Sequence, residues 1–286
     1  MKYKKSNIIY CGDSSAIIGK LQPNSIDLVI TSPPYFGCRK YSDNEEEFGK
    51  EENPKTYIKN IVKVIHKLRK PLKETGSVYL NVGDIYFGTK GYSRCTGDYV
   101  RKASSQYENH NIVKEDGKYL QHKQRLMLPE RIAIALQDKG WVLRNNIIWE
   151  KPNPMPSFSK DRRIPVYENI FHFVKNKKYF FDYDRAKELG HHRDVIRCSI
   201  EPYGNHIATF PEKLIVPFVE TTSRAGDVVL DPFFGSGTVG KVAKDLNRKF
   251  VGIELNYEYC LLAKERIDKS VDMFNEEKSK TEIVIV

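Results

Sequence analysis

The chain has 286 residues, 40% of them apolar and 12% aromatic, which is enough to bury a sizeable core and too apolar for a disordered chain. Lys and Arg number 47 against 37 Asp and Glu; the net charge of +10 suits a polyanionic partner such as nucleic acid but equally suits plain solubility. The five cysteines (Cys11, Cys38, Cys95, Cys198 and Cys260) are scattered, with no C-x-x-C or Cys/His ligand spacing. No disulfide framework or metal site is indicated. No apolar run reaches the length of a membrane span or signal segment, so a soluble chain in the reducing cytoplasm is expected.

In chain order, residues 7–11 predict a short strand ended by Gly12-Asp13, and 26–31 a buried one. Asn53-Pro54 opens a helix by the cap-then-proline rule. Ile58, Ile61, Val62, Ile65 and Leu68 line one face of it, and Pro71 ends it. Strand 77–81, helix 126–139 (stopped at Gly140) and strands 141–150 and 168–174 follow. A helix from Pro211 turns Leu214, Ile215, Phe218, Val219 and Thr222 inward. Strand 227–231, a helix carrying Val239, Val242, Ala243 and Leu246, strand 249–253 and a last helix from about Tyr257 complete the pattern. Strands alternating with helices predict an α/β fold: a doubly wound, mostly parallel, seven-stranded sheet.

Two stretches break that rhythm. Residues 88–125 interleave Tyr92, Tyr99 and Tyr107 with Arg94, Arg101, Lys102 and Lys114. Residues 151–206 are rich in Pro, Lys and Arg around a single strand. Charge for phosphates and rings for exposed bases would make a nucleic-acid groove; a solvated insertion is the alternative.

Two strand-ending loops carry the chemistry. Asp231-Pro232-Phe233-Phe234-Gly235-Ser236-Gly237-Thr238 follows Val228-Val229-Leu230. Its glycines allow close backbone approach, and the helix beginning near Thr238 points N–H groups at a ligand. Glu254 stands about twenty residues on, an offset that suits ribose hydroxyls. A nucleoside cofactor is expected. Because Gly240 completes a G-x-G-x-x-G spacing, the glycines alone do not exclude a nicotinamide.

The other loop, Thr31-Ser32-Pro33-Pro34-Tyr35, follows Ile26–Ile30. An exocyclic base amino group is a poor nucleophile because its lone pair is delocalised. Convergent acceptors for its N–H groups favour a pyramidal nitrogen that can attack a methyl sulfonium. The Ser32 hydroxyl and the Pro33 carbonyl supply acceptors, Pro33-Pro34 stiffens the loop, and the Tyr35 ring can stack on an extruded base. Standing alone, the same residues would make a rigid turn.

Together, and in this order, the two loops resemble those of the DNA amino-methyltransferases, in the permuted (beta) arrangement with the catalytic loop first. The resemblance implies a seven-stranded sheet with one antiparallel strand and a single catalytic domain over 1–286, with insertions 88–125 and 156–205 reading the target. It implies S-adenosylmethionine as cofactor: Asp231 and the Phe233–Gly237 backbone, with Pro232, Ser236 and Thr238 in the same loop, hold its methionine part. Glu254 would hold the ribose and Asp13 reach the adenine amino group. The segment from His206 through Phe210 to Pro211 packs near the methionine end. Residues Asn145 to Pro156 resemble a family segment near the target base; Lys151, Asn153 and Ser157 in the loop there are DNA-contact candidates beside Arg94, Arg101 and Lys102, while Trp149 either faces the base or, the favoured reading, fills the core.

Serine at the start of the catalytic loop resembles the N4-cytosine enzymes more than the N6-adenine ones, which usually carry Asp. No Pro-Cys pair supports cytosine C5 chemistry. The expected activity is site-specific methylation of duplex DNA at the cytosine amino group, as the protective partner of a separate restriction endonuclease, by a monomer or homodimer. Adenine in DNA or RNA, a protein glutamine amide, or a catalytically silent DNA-binding module stand as alternatives.

Overall fold

The apolar runs of the sequence lie side by side in one sheet. A computed structural model describes residues 7–37, 48–51, 53–87, 116–154, 159–201, 210–269 and 281–286. The strands are β1 (Ile8–Cys11), β2 (Ile26–Thr31), β3 (Leu72–Val82), β4 (Val142–Glu150), β5 (Tyr167–Val174), β6 (Val195–Arg197), β7 (Val228–Asp231), β8 (Lys249–Glu254) and β9 (Glu282–Ile285). Among the described residues they make a nine-stranded sheet in the order β6-β4-β5-β3-β2-β7-β8-β1-β9. Only β5 runs antiparallel, against β3 and β4.

All seven expected strands are present, with one antiparallel. The strand count is corrected to nine by β6 and β9, which flank the sheet. Three residues of β6 are too few to show a period, and β9 is held by parallel pairing to β1, a partner distant in sequence.

Helices cover both faces. On one side lie α1 (Ser14–Lys20), α2 (Pro54–Lys67) and α3 (Leu128–Asp138), on the other α5 (Glu212–Thr222), α6 (Thr238–Asp245) and α7 (Tyr257–Lys269). A short helix, α4 (Tyr183–Glu188), precedes β6. Val29 packs into the first layer and Leu28 and Ile30 into the second, so β2 is buried on both faces and reads as an unbroken apolar run. The expected cap of α2 is formed: the Thr56 N–H donates to Asn53 Oδ1 at 3.0 Å. Tyr57, Ile61 and Ile65 on its inner face are fully buried. Among the described residues no helix is long and apolar enough to cross a membrane.

The expected insertions shrink. Residues 116–125 belong to the body, with Leu120 buried and Tyr86 bridged to Arg125. The 156–205 stretch carries β5, α4 and β6 rather than a single strand in a loop. Arg94, Arg101, Lys102, Ser157 and His206 lie outside the described residues.

Candidate active site

The connection from β7 to β8 passes through α6 on one face, and that from β2 to β3 through α2 on the other, while β2 and β7 are neighbours. Adjacent strands whose crossovers leave on opposite faces open a crevice at their carboxyl ends, the usual ligand position in such sheets. Both chemically loaded loops lead out of that crevice. Thr31 Oγ1 donates to Asp231 Oδ1 at 2.7 Å, and Ser14 Oγ to the Pro232 carbonyl at 2.5 Å.

In the loop after β7, Gly235 sits at φ +50°, and a Cβ built there would meet nothing within 4 Å. Open space above a left-handed residue is a cradle for a ligand. The Gly235 N–H donates to Glu254 Oε2 at 2.8 Å, joining the loop to the end of β8. Gly240 has a different use: a Cβ there would come within 2.5 Å of the buried Phe234 ring. The third glycine of the spacing therefore serves packing. Phe233 is half-buried, edge-on to Phe48 at 5.3 Å between ring centroids.

Asp231 is 4% exposed, and its Oδ1 takes both protein hydrogen bonds, from Thr31 and from the Phe233 N–H at 3.0 Å. Burial, reinforced by the Glu254 charge against those two bonds, pushes its carboxyl up to about 7. Among the described residues no hydrogen bond reaches Oδ2. An open cradle, a carboxylate short of a cation and an acid at the next strand end fit an amino-acid-bearing nucleoside.

Four of the cofactor candidates also have partners within the protein. The Ser236 and Thr238 side chains turn inward, where Arg266 Nη1 donates to their hydroxyls at 3.1 and 2.9 Å. Asp13 is exposed but caps α1, accepting from the Ala16 N–H at 2.6 Å. Phe210 leans against Trp149, 6.4 Å between ring centroids, at the margin of the second core layer. Trp149 fills the core as expected, 4% exposed, its indole N–H donating to the Cys198 carbonyl.

The catalytic loop is braced from below: the Tyr57 hydroxyl of α2 donates to the Pro34 carbonyl at 3.0 Å, and Pro33 is buried. Ser32 is half-buried at the rim. Tyr35 is engaged through its hydroxyl as well as its ring. Its ring packs against Gly83, and its hydroxyl lies 2.7 Å from Asn81 Oδ1 and 2.9 Å from Glu168 Oε2. Burial and the Glu168 charge raise the phenol well above its ordinary value.

Lys151 is also corrected, and Asn153 is tied to a neighbouring segment. Lys151 ion-pairs with Glu168, with side chains only 13% and 11% exposed, and its ammonium stands 4.2 Å from the Trp149 ring centroid. Burial opposes ionisation of Glu168, but the Lys151 charge and hydrogen bond, with help from Tyr35, hold its carboxyl below the ordinary value. Asn153 braces a neighbouring segment, accepting from the Ile200 N–H at 2.9 Å and donating to its carbonyl at 3.2 Å.

Sequence reasoning missed Tyr57, Asn81, Asp84 and Glu168. Asn81 lies next to the end of β3 and Glu168 next to the start of β5, and polar residues where strands open onto the catalytic edge were the available signal. Glu168 also lines a shallow cleft beside the loop, with Val82, Asp84, Tyr86, Arg125 and Tyr167. There Asp84 accepts from Arg125 Nε at 2.6 Å and from the Leu128 N–H at 3.0 Å, capping α3.

A family profile described as DNA methylase, for N6 and N4 methyltransferases, matches residues 26–265. The Type II methyltransferase M.SmaI of Serratia marcescens is 41% identical over 92% of this chain and 92% of its own. Among solved structures, PvuII DNA methyltransferase (cytosine-N4-specific) superposes with a TM-score of 0.71 at 22% identity, covering 97% of this chain and 95% of that one. A putative DNA modification methylase of Thermus thermophilus, solved in complex with S-adenosyl-L-methionine, gives 0.67 at 23%, covering 98% of each. These two likenesses are of fold. The sequence match, spanning both loops of the crevice, places the chain in the N6/N4 DNA methylase family.

Proposed function

We propose that the protein is a site-specific DNA methyltransferase that uses S-adenosylmethionine to methylate the N4 amino group of cytosine in duplex DNA. The observation that supports this reading best is the Ser32–Tyr35 loop, locked to the cofactor loop by the Thr31–Asp231 hydrogen bond. It offers a hydroxyl and a carbonyl to an amino group, and no carboxylate at its first position. Among the described residues the Pro33 carbonyl accepts no hydrogen bond.

Asp231 holds the cofactor's ammonium, the Gly235 cradle its methionine chain, and Glu254 its ribose. The bound cofactor supplies an electrophilic methyl group on a sulfonium. Ser32 and the Pro33 carbonyl accept from the two N–H bonds of an extruded base, and the loop, pinned by Tyr57, keeps them in place during transfer. Phosphate and flanking-base contacts fall to Arg94, Arg101, Lys102 and Ser157. The likeness to a Type II methyltransferase supports a role as the protective half of a restriction–modification pair, in the cytoplasm.

Mass spectrometry of nucleosides from DNA treated with protein and cofactor tests the reading. N4-methylcytosine is expected. N6-methyladenine would move the base assignment, and no methylated nucleoside at all would overturn the activity.

A second expectation concerns pH. A ligand ammonium favours ionised Asp231, whose carboxyl titrates at about 7 without it. Cofactor affinity is therefore expected to weaken by up to about tenfold per unit as the pH falls below 7. Proton release on binding at pH 6.5 accompanies this and is read by calorimetry in two buffers. Asp231→Asn should bind weakly and lose the pH dependence; an unchanged profile would place the ammonium elsewhere.

A further inference from the structure

A hydroxyl can face a substrate as donor or as acceptor, and amino-group methylation needs the acceptor. The surroundings of Ser32 decide between the two. The Ser32 oxygen lies 3.3 Å from Asn81 Oδ1 and 3.4 Å from the Tyr35 hydroxyl oxygen. Asn81 is 1% exposed, and its Nδ2 donates to the Asn169 carbonyl at 3.0 Å, so Oδ1 must be the atom turned toward Ser32 and Tyr35. Tyr35 has one proton and two acceptors, Asn81 Oδ1 at 2.7 Å and Glu168 Oε2 at 2.9 Å. An ionised carboxylate is the stronger claimant. Once Tyr35 donates to Glu168, the hydroxyl among the described residues within reach of Asn81 Oδ1 and the Tyr35 oxygen is that of Ser32.

We infer, building on the amino-methyltransferase reading, that Glu168, neutralised by Lys151, is a positioning residue that sets the direction of the Ser32 hydroxyl through Tyr35 and Asn81. With its proton drawn inward, Ser32 presents lone pairs to the amino group. No atom of Glu168 needs to touch the substrate. Four strand ends contribute: Ser32 and Tyr35 lie in the loop after β2, Asn81 near the end of β3, Lys151 just after β4 and Glu168 near the start of β5. The antiparallel strand thus has a chemical use, since its amino end opens onto the catalytic edge.

The test uses the full-length protein and a DNA that the wild type methylates, which secures the underlying reading first. Failure of the wild type to methylate would remove that reading, whereas the arms below address only Glu168. In single turnover, Glu168→Gln is expected to lose about 10²-fold in rate, with cofactor and DNA affinities within about twofold of wild type. Gln can turn its amide toward Tyr35, which then donates to Asn81 and releases the Ser32 proton outward.

The charged groups facing Glu168 are Lys151 and, across the cleft, the mutually paired Asp84 and Arg125; Tyr35 is the other titratable neighbour. Lys151→Met therefore strips the carboxylate of its main counter-charge, and burial raises its pKa into the assay range. Its rate should be low at about pH 6 and recover toward wild type by about pH 9. The double variant Lys151→Met with Glu168→Gln, which buries no net charge at the pair and so remains foldable, should stay slow and pH-independent. A packing role alone would make Lys151→Met no better than the double variant at any pH. Wild-type rates in Glu168→Gln or in the double variant, or a Lys151→Met rate that does not recover with pH, would overturn the inference.

Discussion

Replacing Ser32 by alanine is expected to slow methyl transfer by about 10²-fold or more while leaving both ligands bound. The hydroxyl sits half-buried at the rim, and its protein contacts, 3.3 and 3.4 Å long, are too weak to hold the fold. Its loss therefore acts on the reacting amino group, which keeps one acceptor, the Pro33 carbonyl, instead of two. Single-turnover rates alongside cofactor titration separate the effects: slow chemistry with unchanged affinity is the expected pattern. A wild-type rate would show that Ser32 is not at the amino group, and a matching loss of cofactor binding would place it at the wrong ligand.

Gly235→Val is expected to weaken cofactor binding by about 10²-fold or more in a protein that still folds. No protein atom lies within 4 Å of the added Cβ, so the branched carbons enter the space over the loop and not a neighbour. The φ of +50° adds strain that a β-branched residue tolerates badly, about 1–3 kcal/mol, and this also disturbs the N–H held by Glu254. Gly235→Ala keeps part of the strain and little of the obstruction, so an intermediate affinity is expected. Calorimetry on the folded variants decides; unchanged affinity in the valine variant would remove the loop from the cofactor site.

Lys151 shows why part of the site escaped the sequence. A lysine in a proline-rich loop beside a family-like segment looks like a phosphate contact, and its spacing carries no trace of Glu168, which pairs with it from the next strand. Ser236 and Thr238 show the same effect. Hydroxyls at a helix N-terminus suit a ligand in sequence terms, yet the approach of α7 delivers Arg266 to both of them. The part played by the Tyr35 hydroxyl is not legible in the sequence because its acceptors, Asn81 and Glu168, are 46 and 133 residues away.

By itself the sequence determined what local physics controls. Apolar runs fixed seven strands, helical periodicity fixed α2, α5 and α6, and the glycine and proline loops at strand ends marked the cofactor and catalytic positions. These depend on neighbours in the chain and survive without knowledge of the fold. Only the tertiary structure decided which polar groups share a proton, which cations are already paired, and that β6 and β9 extend the sheet. Each of those is a contact between residues far apart in sequence. Its strength depends on a few tenths of an ångström and on exclusion of water, neither of which leaves a pattern in the order of residues.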